Sequence, residues 1–546
     1  MKAAKVFVQS LEAAGVRYIF GVPGEENLAF VDAIKDSSIT LVTTRHEQSA
    51  VFMAATFGRL TGRVGVALST LGPGATNLVT GVAYAQLGGM PLMVITGQKP
   101  IRRSKQGKFQ IIDVVGMMKP VTKSAETIVS ADRIPTMVDQ AVRAAEGERP
   151  GAVHLELPED IAEDETSESP ILWRKVRRPV ADEKSLAHLV DAIKQARRPL
   201  MVVANGANRK RIGKQLGNVI EKTGIPFVTT QMGKGVYDES SGAYLGTTAL
   251  SSDDFIHKAI QQADLIIMLG HDTIEKPPTL RHTTQKVVHI NFYPAEIDTV
   301  YQPDLEVIGD IAHTLWEISE RVSPQESWEI DTFATYKELQ KNDTLVESTS
   351  EAFPMKPQRI VKDLRHIMPS NGILSLDNGM YKLWIARNYP ALEQNTVLLD
   401  NALATMGAGL PVGIASKMIE PDTPVVVVTG DGGFVMGMSD LETAVRLKID
   451  LVIVIINDNG YGMIKWKQDG MGLDSFGLDF GNPDFVKLAD SFGAHGHRIS
   501  SASEFAPLVR QALDAGGVHI IDVPVDYSEN ITLDAEHLRT RTEKEV

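Results

Sequence analysis

Short apolar runs alternate with helical patterns along the whole chain. RYIFGVPG, ITLVTTR, VGVALST and PLMVITG come first. PLMVVANG, PFVTT, LIIMLG and KVVHINF follow, and GILSLD, PVVVVTGDGG, DLVIVIIND and VHIIDVPV close the series. Each is brief, rich in Val and Ile, and ends at Gly, Asp, Asn or Ser, which is how buried parallel strands joined by crossover helices read. The pattern predicts an α/β protein built as three consecutive doubly wound parallel-sheet domains. At the start, Val6, Phe7, Leu11 and Ala14 recur at helical spacing, so the first apolar run reads as an amphipathic helix and not a targeting signal.

The pattern lapses twice. Residues 161–179 are charged, and residues 323–357 are long and polar. Both read as linkers and give expected domains of 1–175, 185–325 and 355–546, with the helical content around Phe333 to Leu345 left open. A length of 546 residues suits about three domains of ordinary size.

Composition narrows the class. The net charge of -14 argues against nucleic acid and anionic membrane partners, which need a basic excess. The absence of cysteine excludes disulfides, thiolate metal sites and a thiol nucleophile, and it fits a cytoplasmic enzyme. No apolar stretch reaches the length of a membrane span.

The decisive motif is Gly430-Asp431-Gly432 after PVVVVT, followed at a short interval by Asn457-Asp458-Asn459 after DLVIVII. A GDG alone is a tight turn, with Asp431 capping the next helix as its plainest role. The pair says more. DLETAVRLK between them is helical in pattern, so the two strands are expected to be parallel neighbours with their carboxyl tips together, where open α/β sheets bind ligands. The carboxylates of Asp431 and Asp458 suit Mg2+ with positions left for phosphate oxygens, and Gly432 and Gly433 let backbone amides approach a diphosphate.

GDG followed at this interval by Asn-Asp resembles the signature of thiamine-diphosphate enzymes. The resemblance implies that Asp431, Asp458 and the backbone carbonyl of Gly460 hold the metal. It also implies that Gly430, Gly432, Gly433, Tyr461, Gly462 and Met463 surround the cofactor. RHEQSAVFMAATFGRLTG is similar to the segment carrying the family's activating glutamate, here Glu47, which would bond the aminopyrimidine and exchange a proton with it. Without that resemblance, a Glu starting a helix is most simply explained by the helix dipole. Met406, in ATMGAGLPVG, matches the apolar wedge between the cofactor rings. The backbones of Ala404 and Met406 would bond the pyrimidine edge, and Gly379 and Met380 would contact the diphosphate.

Nearly the whole chain resembles the acetolactate synthases. LGPGATN (71–77), GMPLMVITGQ (89–98) and Phe109-Gln110 are similar to that family, and the last pair would line the site near the reacting carbon. DFGNPDFVKLADSFGA, IIDVPVDYSEN and GHDTIEKPP look most like its catabolic branch. The arginine-bearing segment of the FAD-containing enzymes is missing. Their LPKDV lysine is Glu159 here, and GTTAL lacks their Met-His-Gly run, so FAD is not expected. The implied reaction decarboxylates pyruvate and joins the remaining fragment to a second pyruvate. The implied assembly is a homodimer or homotetramer with sites shared between subunits.

Three departures concern the substrate. Glu25 and Glu26 follow Pro23-Gly24 in a loop that lies near the thiazolium in the family, where small or basic residues are usual. A carboxylate there would repel an anionic oxo acid or point to solvent. Lys467 stands where relatives carry an aromatic residue or Gln that helps choose the acceptor. The rival readings are another thiamine carboligase, a 2-oxo acid decarboxylase, a non-catalytic paralogue and a nicotinamide dehydrogenase. A decarboxylase is disfavoured by the single His46 in TRHEQ. A non-catalytic role is disfavoured by the retention of Glu47, Asp431 and Asp458. The absence of GxGxxG from ANGANRK disfavours a dehydrogenase.

Overall fold

The computed structural model describes residues 1–102, 107–174, 177–209, 211–250, 253–275, 280 and 285–545. Lys175-Val176 of the first expected linker and Lys276-Pro277-Pro278 of GHDTIEKPP lie outside the described residues.

Three six-stranded parallel sheets form the frame. The first contains β1 (Tyr18–Gly21), β2 (Thr40–Thr43), β3 (Gly65–Ser69), β4 (Leu92–Gln98), β5 (Ser124–Thr127) and β6 (Ala152–Pro158), in the order β2-β1-β3-β4-β6-β5. The second contains β7 (Pro199–Val203), β8 (Phe227–Thr230), β9 (Tyr244–Thr248), β10 (Leu265–Leu269), β11 (Lys286–Asn291) and β12 (Leu305–Ile308), ordered β12-β11-β10-β7-β8-β9. The third contains β13 (Ile373–Leu376), β14 (Val397–Leu398), β15 (Val425–Gly430), β16 (Leu451–Asn457), β17 (His495–Arg498) and β18 (Val518–Pro524), ordered β14-β13-β15-β16-β18-β17. The α/β expectation of three parallel-sheet domains holds.

Contacts within the chain define two compact units. One comprises Met1–Arg177, Ala402–Pro421 and Gly437–Ile449. The other comprises Arg178–Asn401, Asp422–Met436 and Asp450–Val546. The first unit holds the first sheet and the second unit holds the other two.

In the first unit, alternate residues of the central strands point to one face. Val66 and Leu68, Met93 and Ile95, and Val153 and Leu155 join Val6, Phe7 and Leu11 of the helix Ala3–Ala13 in one core. This is the period of two expected of strands and the helical stripe expected of the N-terminus. The helix Glu47–Thr61 is buried from Ser49 through Gly58, because it packs on β3 and on the helices Val79–Gly88 and Gly409–Ile419. Its run of Ala and Gly suits that position, since small side chains let neighbouring elements approach closely.

In the second unit, β15 is buried from Val425 through Val428, and each fully buried Val contributes about 1.5–3 kcal/mol of hydrophobic stabilisation. The segment Phe333–Leu345 is a helix, with Phe333, Tyr336, Gln340 and Asp343 buried at helical intervals. No helix among the described residues is long and apolar enough to cross a membrane.

Candidate active site

In the first unit, Glu47 is the first residue of its helix. His46 caps that helix by accepting the amide of Gln48 at 3.1 Å. The strand β2 ends three residues before His46, so the carboxylate projects at the carboxyl edge of the sheet. Asn77 Nδ2 donates to Glu47 Oε2 at 2.9 Å. On the other side Gly74 leaves room, for a Cβ there would stand 3.2 Å from Glu47 Oε1. Asp440 secures the preceding turn by accepting the amide of Arg45 at 2.9 Å.

The segment with Ala404 and Met406 belongs to the same unit as Glu47. Ala404 is exposed with φ at 56°, and Met406 is half-buried ahead of the helix Gly409–Ile419. That helix packs on the one Glu47 begins. Phe109 is 62% exposed. Gln110 is also exposed and lies against Gly72, where a Cβ would meet the Gln110 carbonyl oxygen at 3.0 Å.

In the second unit, β15 and β16 are parallel neighbours, with Gly430 opposite Ile456, so Asp431 and Asp458 sit at adjacent strand tips as expected. Asp431 is 1% exposed. Its Oδ1 accepts the Gly432 amide and its Oδ2 accepts Asn482 Nδ2, both at 2.8 Å. Asn482 also donates to the side-chain oxygens of Asn457 and Asn459. The Asp458 side chain lies over Gly462, where a Cβ would come within 2.3 Å of its Oδ2. Burial, and then the neighbouring Asp431 charge, push the Asp458 carboxyl up to about 7. Burial likewise raises Asp431, against the hydrogen bond from Asn482.

Two crowded carboxylates among amide oxygens are a hard-ligand set that a divalent cation relieves, and an oxygen-preferring ion such as Mg2+ suits it. Among the described residues no three His, Cys, Asp or Glu side chains gather as a metal site. This pair would therefore leave further positions to a carbonyl, to water or to phosphate oxygens.

Beside the pair, glycines let neighbouring side chains approach the backbone closely. A Cβ on Gly432 would meet the rings of Tyr461 and Phe480, at 3.0 and 3.2 Å. One on Gly433 would meet Asp377 Oδ2 at 2.7 Å. Gly379 adjoins the Tyr381 ring, and Met380 begins the next helix, fully buried. Tyr461, Gly462 and Met463 are half-buried at the start of the helix Gly462–Gly470. Gly460 bridges to Asp479. On that helix Lys467 is exposed, its ammonium 4.2 Å from the Trp466 ring centre.

Three neighbours were not singled out from sequence: Asn77 beside Glu47, Asn482 between Asp431 and the Asn457 turn, and Asp377 beneath Gly433. Asn77 and Asn482 fall in the quoted runs LGPGATN and DFGNPDF, but only tertiary contact gives them a role.

Models of one enzyme family match three segments of the chain. The description "Thiamine pyrophosphate enzyme, N-terminal TPP binding domain" matches residues 1–117, the central domain of the same enzymes matches 186–318, and the C-terminal TPP binding domain matches 377–523. The fold and motifs thus define a thiamine-pyrophosphate enzyme. The chain is 33% identical to an acetolactate synthase of Bacillus subtilis, covering 98% of this chain and 95% of that one. It is 34% identical to a catabolic acetolactate synthase of Raoultella terrigena, covering 96% and 95%. It is 32% identical to a probable acetolactate synthase large subunit of Methanocaldococcus jannaschii, covering 98% and 93%. The chain belongs to the acetolactate synthase family of thiamine-diphosphate enzymes.

Proposed function

We propose that the protein is a cytoplasmic acetolactate synthase that combines two pyruvate ions and a proton into 2-acetolactate and CO2, using thiamine diphosphate and Mg2+. The observation that carries this reading is the placement of Asp431 and Asp458 on adjacent tips of β15 and β16, in a chain similar over almost its full length to acetolactate synthases. Bound thiamine diphosphate would supply the carbanion that attacks a carbonyl and the electron sink that lets carboxylate leave. Asp431, Asp458 and the Gly460 carbonyl would hold the metal. Gly379, Met380, Gly430, Gly432, Gly433, Tyr461, Gly462 and Met463 would accommodate the diphosphate end. Ala404 and Met406 would orient the pyrimidine, and Glu47 would hold and move a proton at its edge, with Asn77 keeping the carboxylate aimed. Phe109 and Gln110 would approach the substrate.

Incubation with pyruvate alone tests the reaction. The expected product is acetolactate, which acid converts to acetoin. Acetaldehyde as the main product would point to a decarboxylase instead.

FAD is not part of this reading. Where strand order reverses in the second sheet, between β7 and β10, the Gly206 amide donates to the Gly270 carbonyl at 2.7 Å, and a Cβ on either glycine would collide with the other's backbone. Both positions therefore need glycine for this close backbone approach. Purified enzyme is expected to be colourless and fully active with thiamine diphosphate and Mg2+. A stoichiometric yellow chromophore required for turnover would overturn this.

A further inference from the structure

The two acids after Pro23-Gly24 differ sharply. Glu25 is exposed, whereas Glu26 is buried at 5% exposure. Glu26 sits directly on β4, since a Cβ on Gly97 would lie 3.1 Å from its own Cβ. Lys99, one residue beyond β4 and equally buried, donates its ammonium to Glu26 Oε1 at 2.5 Å. Thr70, just past β3, donates its hydroxyl to Glu26 Oε2. Burial works to raise the Glu26 carboxyl, but the bonds from Lys99 and Thr70 outweigh it and hold the group below its ordinary range.

Thr70 is also the link to Glu47. A Cβ on Gly24 would collide with the Thr70 side chain at 2.4 Å. A Cβ on Gly74 would stand 3.0 Å from Thr70 Cγ2 and 3.2 Å from Glu47 Oε1. The loop bearing Glu26 is therefore connected to the Glu47 carboxylate through Thr70 and then Gly74.

Charge gives the arrangement its meaning. Among the described residues, Lys99 faces three acids, Glu26, Glu25 and Glu159. Lys99 is thus the countercharge of a buried carboxylate.

We infer that Lys99 is a positioning residue for 2-oxo acid binding, acting through Glu26 and Thr70 to neutralise and fix the Gly24 loop beside Glu47. The inference rests on the reading of the protein as an enzyme of 2-oxo acids. Among the described residues, removal of Lys99 leaves Thr70 bonded to Glu26, with Glu25 and Glu159 on the side that Lys99 faced.

Lys99→Met is expected to raise KM for pyruvate about tenfold near pH 8, the effect of one uncompensated charge close to the site. Turnover, thiamine-diphosphate affinity and the melting temperature of the cofactor-free protein should change little. The unpaired Glu26, pushed up by burial, should take a proton in mild acid, so KM should fall as pH is lowered from about 8 to about 6. The double variant Glu26→Gln/Lys99→Met should restore a low KM without that pH dependence.

An unchanged KM in Lys99→Met would overturn the inference, as would a double variant no better than the single. Parallel losses in cofactor affinity and melting temperature would reduce the pair to a structural tie and also refute it. If Lys99→Met does not fold, Glu26→Gln alone decides: removing one of the acids facing the Lys99 ammonium makes the loop less negative and should lower KM, and no change refutes the proposal. KM is read from CO2 release, so a wild type that consumes pyruvate but makes no acetolactate would refute the proposed reaction while leaving this comparison intact.

Discussion

Glu47→Gln is expected to lower turnover by about two or more orders of magnitude, the scale for losing an acid–base group, while thiamine diphosphate still binds. The substitution preserves shape. Gln at this position can still meet Asn77 and still fits beside Gly74, so the start of the helix should remain intact. What it loses is the capacity to give up and regain a proton. Separate measurement of cofactor affinity and turnover checks the split. Near-wild-type turnover in this variant would refute the role given to Glu47. A joint collapse of affinity and turnover would mean that the carboxylate holds the cofactor more than it activates it.

Most of the fold was legible because central strands of parallel sheets are buried on both faces and read as unbroken apolar runs. The strands that the pattern passed over are β5, β6, β9, β12, β14 and β17. All but β6 lie at the edges of their sheets. Edge strands meet solvent, and β5, β12 and β17 are only partly buried, so their sequences carry no continuous apolar signal. The exception is instructive. β6 is buried throughout, yet its run AVHLELP contains His154 and Glu156. Each is tolerated because of partners distant in sequence. His154 meets Thr96 at 2.8 Å, and Glu156 accepts Gln98 and Thr127. Burial pushes the His154 imidazole down to about 3 and raises the Glu156 carboxyl. No local pattern announces such pairing.

The candidate site divides along the same line. Asp431 and Asp458 were legible because both end apolar strands and because the helical pattern between them made those strands neighbours. Glu47 was legible only through family resemblance, since a Glu opening a helix has an ordinary electrostatic explanation. The loop acids Glu25 and Glu26 left two expectations open, repulsion of the substrate or orientation toward solvent. Glu25 does reach the surface, while Glu26 turns inward to Lys99, a partner in a different strand connection. Sequence places charges along a line, whereas neutralisation depends on which strand tips the sheet order brings together.

Asp431→Ala should abolish stable binding of thiamine diphosphate, and with it activity, because Asp458 alone would face the metal and Asn482 would lose an acceptor for its amide. A chelator should inactivate the wild type for the same reason, and turnover in a rigorously metal-stripped preparation would refute the metal site. The variant also tests assembly. Glu47 belongs to one compact unit of the chain, and Asp431 and Asp458 belong to the other. We propose that each catalytic site takes Glu47 from one subunit and Asp431 and Asp458 from another, in a homodimer or homotetramer whose smallest active form is a two-fold pair, the commonest symmetry among soluble oligomers. Inactive Glu47→Gln mixed with inactive Asp431→Ala would then give hybrid pairs with one intact site and one doubly damaged site. Activity should return on subunit exchange, approaching about a quarter of wild type for random pairing of independent sites in a dimer. Mixing is followed by activity, with exchange verified by separately tagged subunits. Absence of recovery despite complete exchange would put both groups of one site in a single chain and refute the shared arrangement.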